Sequence, residues 1–117
     1  MQYLLMIYAA ESAEPTAGSP EFMQLLQDYG VFTEEVKADG VFLAGEPLEP
    51  VATASTVRVR NGESLITDGP FAETKEVLGG YYLLDCDNLD QALQYAAKIP
   101  SAKYGSVEVR PIMQYPS

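Results

Sequence analysis

The stretch STVRVRNGESLITDGPFAETKEVLGGYYLLDC, residues 55–86, decides the fold. Two β-branched runs, STVRVR (55–60) and ESLITD (63–68), flank Asn61-Gly62. Asn-Gly between such runs signals a two-residue hairpin, because both turn residues must take positive φ. Val57 and Val59 then face one way, Arg58 and Arg60 the other. Asp68-Gly69-Pro70-Phe71 ends the second strand, and the charged run AETKE (72–76) follows. Gly79-Gly80 then opens a strand, VLGGYYLLDC (77–86), that is apolar on both sides. Paired glycines there allow a bulge or the close approach of another backbone.

Working outward, each flank of the hairpin supplies a strand–helix–strand unit. QYLLMIYA (2–9) is a short apolar run expected of a central strand. Ser19-Pro20-Glu21 starts a helix: a serine cap, proline at the first helical position, and an acid near the positive end. Phe22, Leu25, Tyr29, Phe32 and Val36 form one apolar stripe, and Asp39-Gly40 stops the helix beyond Lys37-Ala38. VFLAGEPL (41–48) is a second strand; Pro47 cannot donate to a ladder, which places it at an edge or a bend. On the other side, Asp87 or Asn88 caps a helix LDQALQYAAKI (89–99), with Leu89, Ala92, Leu93 and Ala96 inward and Pro100 as the stop. SVEVRPIMQ (106–114) is the last strand.

The order is β-α-β, hairpin, β-α-β over residues 1–117, one α+β domain. Two such halves around one antiparallel sheet describe a ferredoxin-like fold with an inserted hairpin. Both helices must cover the same face of the sheet. The strands YLLMIY, GYYLL and VEVRPIM carry large residues on the other face too, and a homodimer pressing sheet against sheet is the expected cover.

Composition limits the function classes. A net charge of −10, with seven basic residues, argues against nucleic acid as a partner. With one cysteine and no histidine, a conventional zinc site or a Cys-His pair is excluded. Cys86, in an apolar strand, reads as a buried inert thiol. No run approaches the roughly 20 apolar residues that span a bilayer, and the first residues lack the basic start of a signal peptide, so the expected location is the cytoplasm. No cofactor is expected, because Gly79-Gly80 leads into a strand and not into a phosphate-binding helix start.

Asp68 is the main candidate catalytic residue. One reading puts its carboxylate at a strand end, facing a pocket between sheet and helix, as a general base or hydrogen-bond acceptor. The other makes it turn chemistry: the carboxylate accepts a backbone N–H, Gly69 takes a positive φ, and Pro70 fixes the next angle. Phe71 is either a pocket wall or a core anchor for the loop. Lys75 is a solvated residue, a partner for Asp68, or a site for an anionic ligand. Arg58 is a salt-bridge or dimer-contact residue, or a ligand-binding one. Tyr8, Tyr81 and Tyr82 lie on strands expected to flank each other, where a hydroxyl forms the polar tip of an apolar wall. Glu21 is a weaker second acid.

The chain resembles the YCII-related (YciI-like) family, in its DGPF-domain branch. The resemblance rests on YLLMIY, SPEFM, YGVFTEEVKADGVFLAGEPL, TDGPFAETKEVLGGYYLLD and YGSVEVRPI, and so runs nearly the whole length. It implies a dimeric α+β barrel of ferredoxin-like subunits, and a small-molecule ligand in a pocket near Asp68, Gly69 and Pro70. The related barrels include muconolactone isomerases and chloride-releasing enzymes, which makes proton transfer or lyase-type chemistry the enzymatic alternative. Members of the DGPF branch often occur beside, or fused to, extracytoplasmic-function sigma factors, which makes a regulatory partnership the third. The family's proposed His–Asp pair does not transfer: after Pro20 stand Glu21, Phe22 and Met23, and no histidine occurs anywhere. Any acid–base step here runs on carboxylates, tyrosine or lysine.

Overall fold

A computed structural model describes residues 1–115. Strand β1 (Gln2–Ala9) leads through a short loop to helix α1 (Pro20–Ala38), which is followed by β2 (Phe42–Pro47), the hairpin β3 (Ser55–Arg60) and β4 (Glu63–Asp68), β5 (Val77–Asp85), helix α2 (Leu89–Lys98) and β6 (Ser106–Pro111). The main sheet has the order β2-β5-β1-β6 with every neighbour antiparallel. Leaving out the hairpin, this is the ferredoxin-like arrangement, and the chain has the α+β fold expected of it.

Local chemistry explains the elements. The Ser19 hydroxyl accepts the Phe22 N–H at 3.1 Å, and Pro20 occupies the first turn of α1. The Asn88 carboxamide caps α2 through the Gln91 N–H at 2.9 Å. Asn61 and Gly62 both have positive φ, 52° and 77°, as a two-residue hairpin turn demands. Gly79 is the extra residue of a bulge, since Ile7 pairs with Gly80 while Tyr8 pairs with Leu78. The last strand is shorter than expected. It stops at Pro111, which has no N–H for the ladder, and only the Ile112 N–H continues the pattern, to the Gln2 carbonyl.

The core lies between the sheet and its two helices. Tyr3, Leu5, Ile7 and Ala9 of β1 and Tyr82 and Leu84 of β5 point into it, where they meet Phe32 and Val36 of α1 and Ala92, Tyr95 and Ala96 of α2. Cys86 is 1% exposed there, and burial pushes its thiol pKa up, which keeps it protonated and inert. The buried face of α2 differs from the expected one: Leu89 and Leu93 are about half exposed, while Tyr95 turns inward and Ile99, just beyond the helix, joins the core. The small Ala92 and Ala96 let the helix lie close to the sheet. The Tyr95 hydroxyl donates to Asp39 Oδ2 at 2.6 Å, tying α2 to the end of α1. The leucines are left at the margin.

The hairpin departs most from a compact domain. β3 and β4 form a sheet of their own, and both strands are exposed almost throughout. The chain measures 48 × 47 × 18 Å with a radius of gyration of 16.3 Å, against roughly 13 Å for a compact domain of this length. It is a flat body with a projecting arm.

Gly105 is where β6 enters beside β1. A Cβ there would run into the Tyr8 carbonyl oxygen and the backbone of Ala9. Neither neighbour is a flexible side-chain end, so Gly105→Ala is expected to destabilise the fold by about 1–3 kcal/mol. Urea unfolding checks this; an unchanged midpoint would mean that the β1–β6 junction gives more readily than its geometry indicates.

Candidate functional site

Alternation along β1 and β5 divides the sheet into two unlike faces. Tyr82 lies on the helix side, edge-on to Phe32 with ring centroids 5.0 Å apart, and its hydroxyl bonds Thr33 Oγ1 at 2.8 Å. Burial raises its pKa, with the Thr33 hydrogen bond working against the shift. Tyr82 is therefore a core residue with a satisfied hydroxyl. Tyr8 and Tyr81 occupy the opposite face, together with Leu4, Met6 and Leu83, since Leu4 pairs with Leu83 and Met6 with Tyr81. No helix covers that side among the described residues. All five are only half-buried.

At the end of this apolar strip is a cleft of about 420 Å³ lined by Tyr8, Glu76, Ser106, Val107 and Glu108. Tyr8 and Ser106 are directly paired across β1 and β6, and Glu76 immediately precedes β5. The Ser106 hydroxyl donates to Glu76 Oε1 at 3.1 Å, and the Glu76 carbonyl accepts from Thr74 Oγ1 at 2.6 Å. Two carboxylates and two hydroxyls on a partly apolar wall favour a ligand that presents hydrogen-bond donors. Among the sequence candidates, only Tyr8 lines this cleft. Glu76, Ser106 and Glu108 were not singled out. The one signal for them is topological: in a ferredoxin-like order the end of β1 lies beside the start of β6.

The Asp68-Gly69-Pro70-Phe71 loop sits at the root of the arm. Gly69 has φ +97°, its N–H donates to the Ala54 carbonyl at 2.6 Å, and its own carbonyl accepts from Thr56 Oγ1 at 2.8 Å. Arg58 Nη2 donates to the Phe71 carbonyl at 3.2 Å. The loop is thus held along β3 by backbone groups. Asp68 itself is exposed and, among the described residues, makes no side-chain hydrogen bond, so its carboxylate lies outside the sheet–helix interface and takes no part in the turn. By register it shares an arm face with Ser55, Val57 and Ile66. Phe71 is 75% exposed and anchors no core, because the loop follows β3 away from the body. Arg58, read from sequence as a salt-bridge or dimer-contact residue or a ligand-binding one, bonds a carbonyl of its own chain and forms no salt bridge among the described residues. Lys75 is exposed and forms no ion pair with Asp68.

A second cleft, of about 260 Å³, is lined by Pro15, Glu21, Gln24, Leu25, Asp28, Pro100, Lys103 and Tyr104. Behind it runs a hydrogen-bonded chain: Tyr29 to Ser101 at 2.6 Å, Ser101 to Tyr104 at 3.2 Å, and Tyr104 to Glu14 Oε2 at 3.2 Å. The Tyr104 proton goes to the carboxylate, so Ser101 donates to Tyr104 and Tyr29 donates to Ser101. Ser101, 2% exposed, is satisfied by this order. Burial, opposed by the Ser101 hydrogen bond, pushes the Tyr29 phenol up to about 12. The bond to Asp39, assisted by burial, does the same for Tyr95.

Two outcomes follow from these contacts. Because Gly69 and β3 make the turn, Asp68→Ala should change stability by less than about 0.5 kcal/mol, whereas Gly69→Ala should loosen the arm by about 1–2 kcal/mol. Hydrogen exchange of the arm amides distinguishes the two; a large loss in Asp68→Ala would return the carboxylate to turn chemistry. The phenols set an alkaline limit. Unfolded tyrosines ionise near pH 10, but folded Tyr29 and Tyr95 only near 12. Their contribution is complete below pH about 10 and is lost as pH rises towards about 12. Tyr29→Phe and Tyr95→Phe should each flatten that decline, and an unaltered slope in both would show that other groups cause it.

Comparison with known proteins agrees with this architecture. The model of the YCII-related domain matches residues 1–116. A protein of Rhizobium meliloti (strain 1021), described only as uncharacterized, is 37% identical over 117 residues, covering 98% of this chain and 94% of the relative. With the family model spanning almost the entire chain, the protein belongs to the YCII-related domain family.

Proposed function

We propose that the protein is a homodimeric small-molecule-binding module, with the ligand held in the cleft beside Tyr8 at the end of the open sheet face. The observation that carries this reading is the half-exposed strip of Leu4, Met6, Tyr8, Tyr81 and Leu83, opposite both helices. Apolar surface of this kind on one side of a two-layer fold is a usual interface, and two copies pressed sheet to sheet would close the clefts from bulk water. The loop from Asp68 to Lys75 runs directly to Glu76, which links the DGPF segment to the cleft wall. Glu108 is exposed and Glu76 half-buried, a wet setting that suits binding better than proton transfer.

A second reading, acid–base chemistry by Asp68, has one observation in its favour. Asp68 lies on the arm face that carries Val57 and Ile66, where a ligand or partner covering that face would reach its carboxylate.

Sedimentation equilibrium provides the test. The wild type is expected to be dimeric at micromolar concentration, and Met6→Asp or Leu83→Asp should give folded monomers, because a charge buried in an apolar interface is strongly disfavoured. A wild type that stays monomeric overturns the reading. For the ligand, a thermal-shift screen of small amines and polyols should yield compounds that stabilise the wild type by roughly 2–3 kcal/mol at 100 times Kd. The stabilisation should vanish in Tyr8→Ala and Ser106→Val; a shift retained in both places the ligand elsewhere.

A further inference from the structure

β3 and β4 pair with each other and with no strand of the main sheet. Three bonds beyond the ladder tie the arm into one piece. The Gly69 N–H donates to the Ala54 carbonyl at 2.6 Å, Thr56 Oγ1 to the Gly69 carbonyl at 2.8 Å, and Arg58 Nη2 to the Phe71 carbonyl at 3.2 Å. Residues 54–71 are therefore a single unit, joined to the body by two short connections, 49–53 and 72–75. On the body side the first begins after Leu48, whose N–H donates to the Gly79 carbonyl at 2.9 Å. The second ends at Glu76, whose carboxylate accepts from Ser106. Ala72, Glu73, Thr74 and Lys75 are exposed and belong to no strand or helix. Short segments at element ends, between internally bonded units, are the usual place of a hinge.

One side chain of the body reaches the first connection: Glu11 Oε2 accepts the Val51 N–H at 3.0 Å. Among the described residues no other body side chain hydrogen-bonds either connection. Val51 opens the short 3₁₀ turn Val51–Thr53 beside β5, and a first N–H has no acceptor within its own turn. Glu11 is itself held in place. It opens the turn Glu11–Ala13, and the next residue, Glu14, accepts from Tyr104 at 3.2 Å. Tyr104 is bound through Ser101 to Tyr29 of α1. The hydroxyl chain behind the second cleft thus ends at the turn that holds the arm. We infer that residues 54–71 swing as a rigid arm about 49–53 and 72–75, and that the Glu11–Val51 bond is the latch that fixes the arm's angle. The latch lies within one chain and needs neither a second copy nor a ligand.

Pulsed electron double resonance between spin labels at Ser64→Cys on the arm and Gln94→Cys on α2 reads that angle. Both positions are exposed, while Cys86, 1% exposed, stays unlabelled. Dilution with unlabelled protein restricts the signal to pairs within one chain. The latched protein should give one narrow distance distribution. Glu11→Ala should widen it at least about twofold, because an exposed single bond then no longer holds the hinge closed. Glu11→Gln should keep it narrow, since its amide oxygen still accepts the N–H. Val51→Pro removes the donor instead and should widen it as Glu11→Ala does. Pro50, at φ −54° and ψ 150°, already has the extended conformation that a following proline requires. Amide exchange within β3 and β4 should stay unchanged in every variant, as expected of a unit that moves whole. Equal widths with and without the Glu11 carboxylate, or a distribution already wide when it is present, overturn the latch. Loss of β3–β4 protection in Glu11→Ala overturns the rigid swing, because the arm would then be unpairing.

Discussion

The structure depends on one constraint: β1 is apolar on both faces but helices cover only one of them. Tyr3, Leu5, Ile7 and Ala9 fill the space beneath α1 and α2, while Leu4, Met6 and Tyr8 face the opposite way. β5 repeats the division with Tyr82 and Leu84 against Tyr81 and Leu83. A central strand with two dry-seeking sides is ordinary in a three-layer protein and unbalanced in a two-layer one. Among the described residues no second layer lies over the Leu4, Met6 and Tyr8 side. The same constraint accounts for the flatness of the body, 18 Å in its shortest dimension.

Much of this was legible in the sequence because it is written in local chemistry. Ser19-Pro20 and Asn88 cap their helices as side-chain oxygens at those positions must, and Asn61-Gly62 turns the chain because both residues accept positive φ. The two-layer arrangement follows from helix stripes and strand alternation. Where the reading went astray, the deciding contact was between distant residues. Periodicity in α2 admits either the Leu89–Leu93 side or the Tyr95–Ile99 side. The bond from Tyr95 to Asp39 favours the second, and it joins residues on different helices. Phe71 looks like an anchor by its size, yet the Arg58 and Thr56 contacts carry the loop outward.

The cleft was hidden for a similar reason. Tyr8 drew notice as an aromatic residue at a strand end, but Ser106 and Glu108 have no distinguishing neighbours in sequence. Their meeting with Tyr8 depends on β6 crossing to the far edge beside β1, which strand order alone supplies. Glu76 sits within a charged run whose ordinary reading is a solvated loop; its bond from Ser106 marks it as part of a wall. The chain of hydroxyls from Tyr29 through Ser101 is equally silent in sequence, since a lone serine after Ile99-Pro100 carries no sign that it will be buried.

The DGPF segment gains a specific meaning once its parts are separated. Gly69 and the backbone of β3 make the turn: a positive φ, a bond to Ala54 and a bond from Thr56 are sufficient to hold it. The side chains of Asp68 and Phe71 are not spent on that task, and both are exposed, outside the core formed by the described residues. Local folding therefore explains the glycine and leaves the acid and the aromatic unexplained. Residues that a turn does not need are free to act at a surface the turn presents. Their position at the root of the arm leaves that surface open to solvent beside β3.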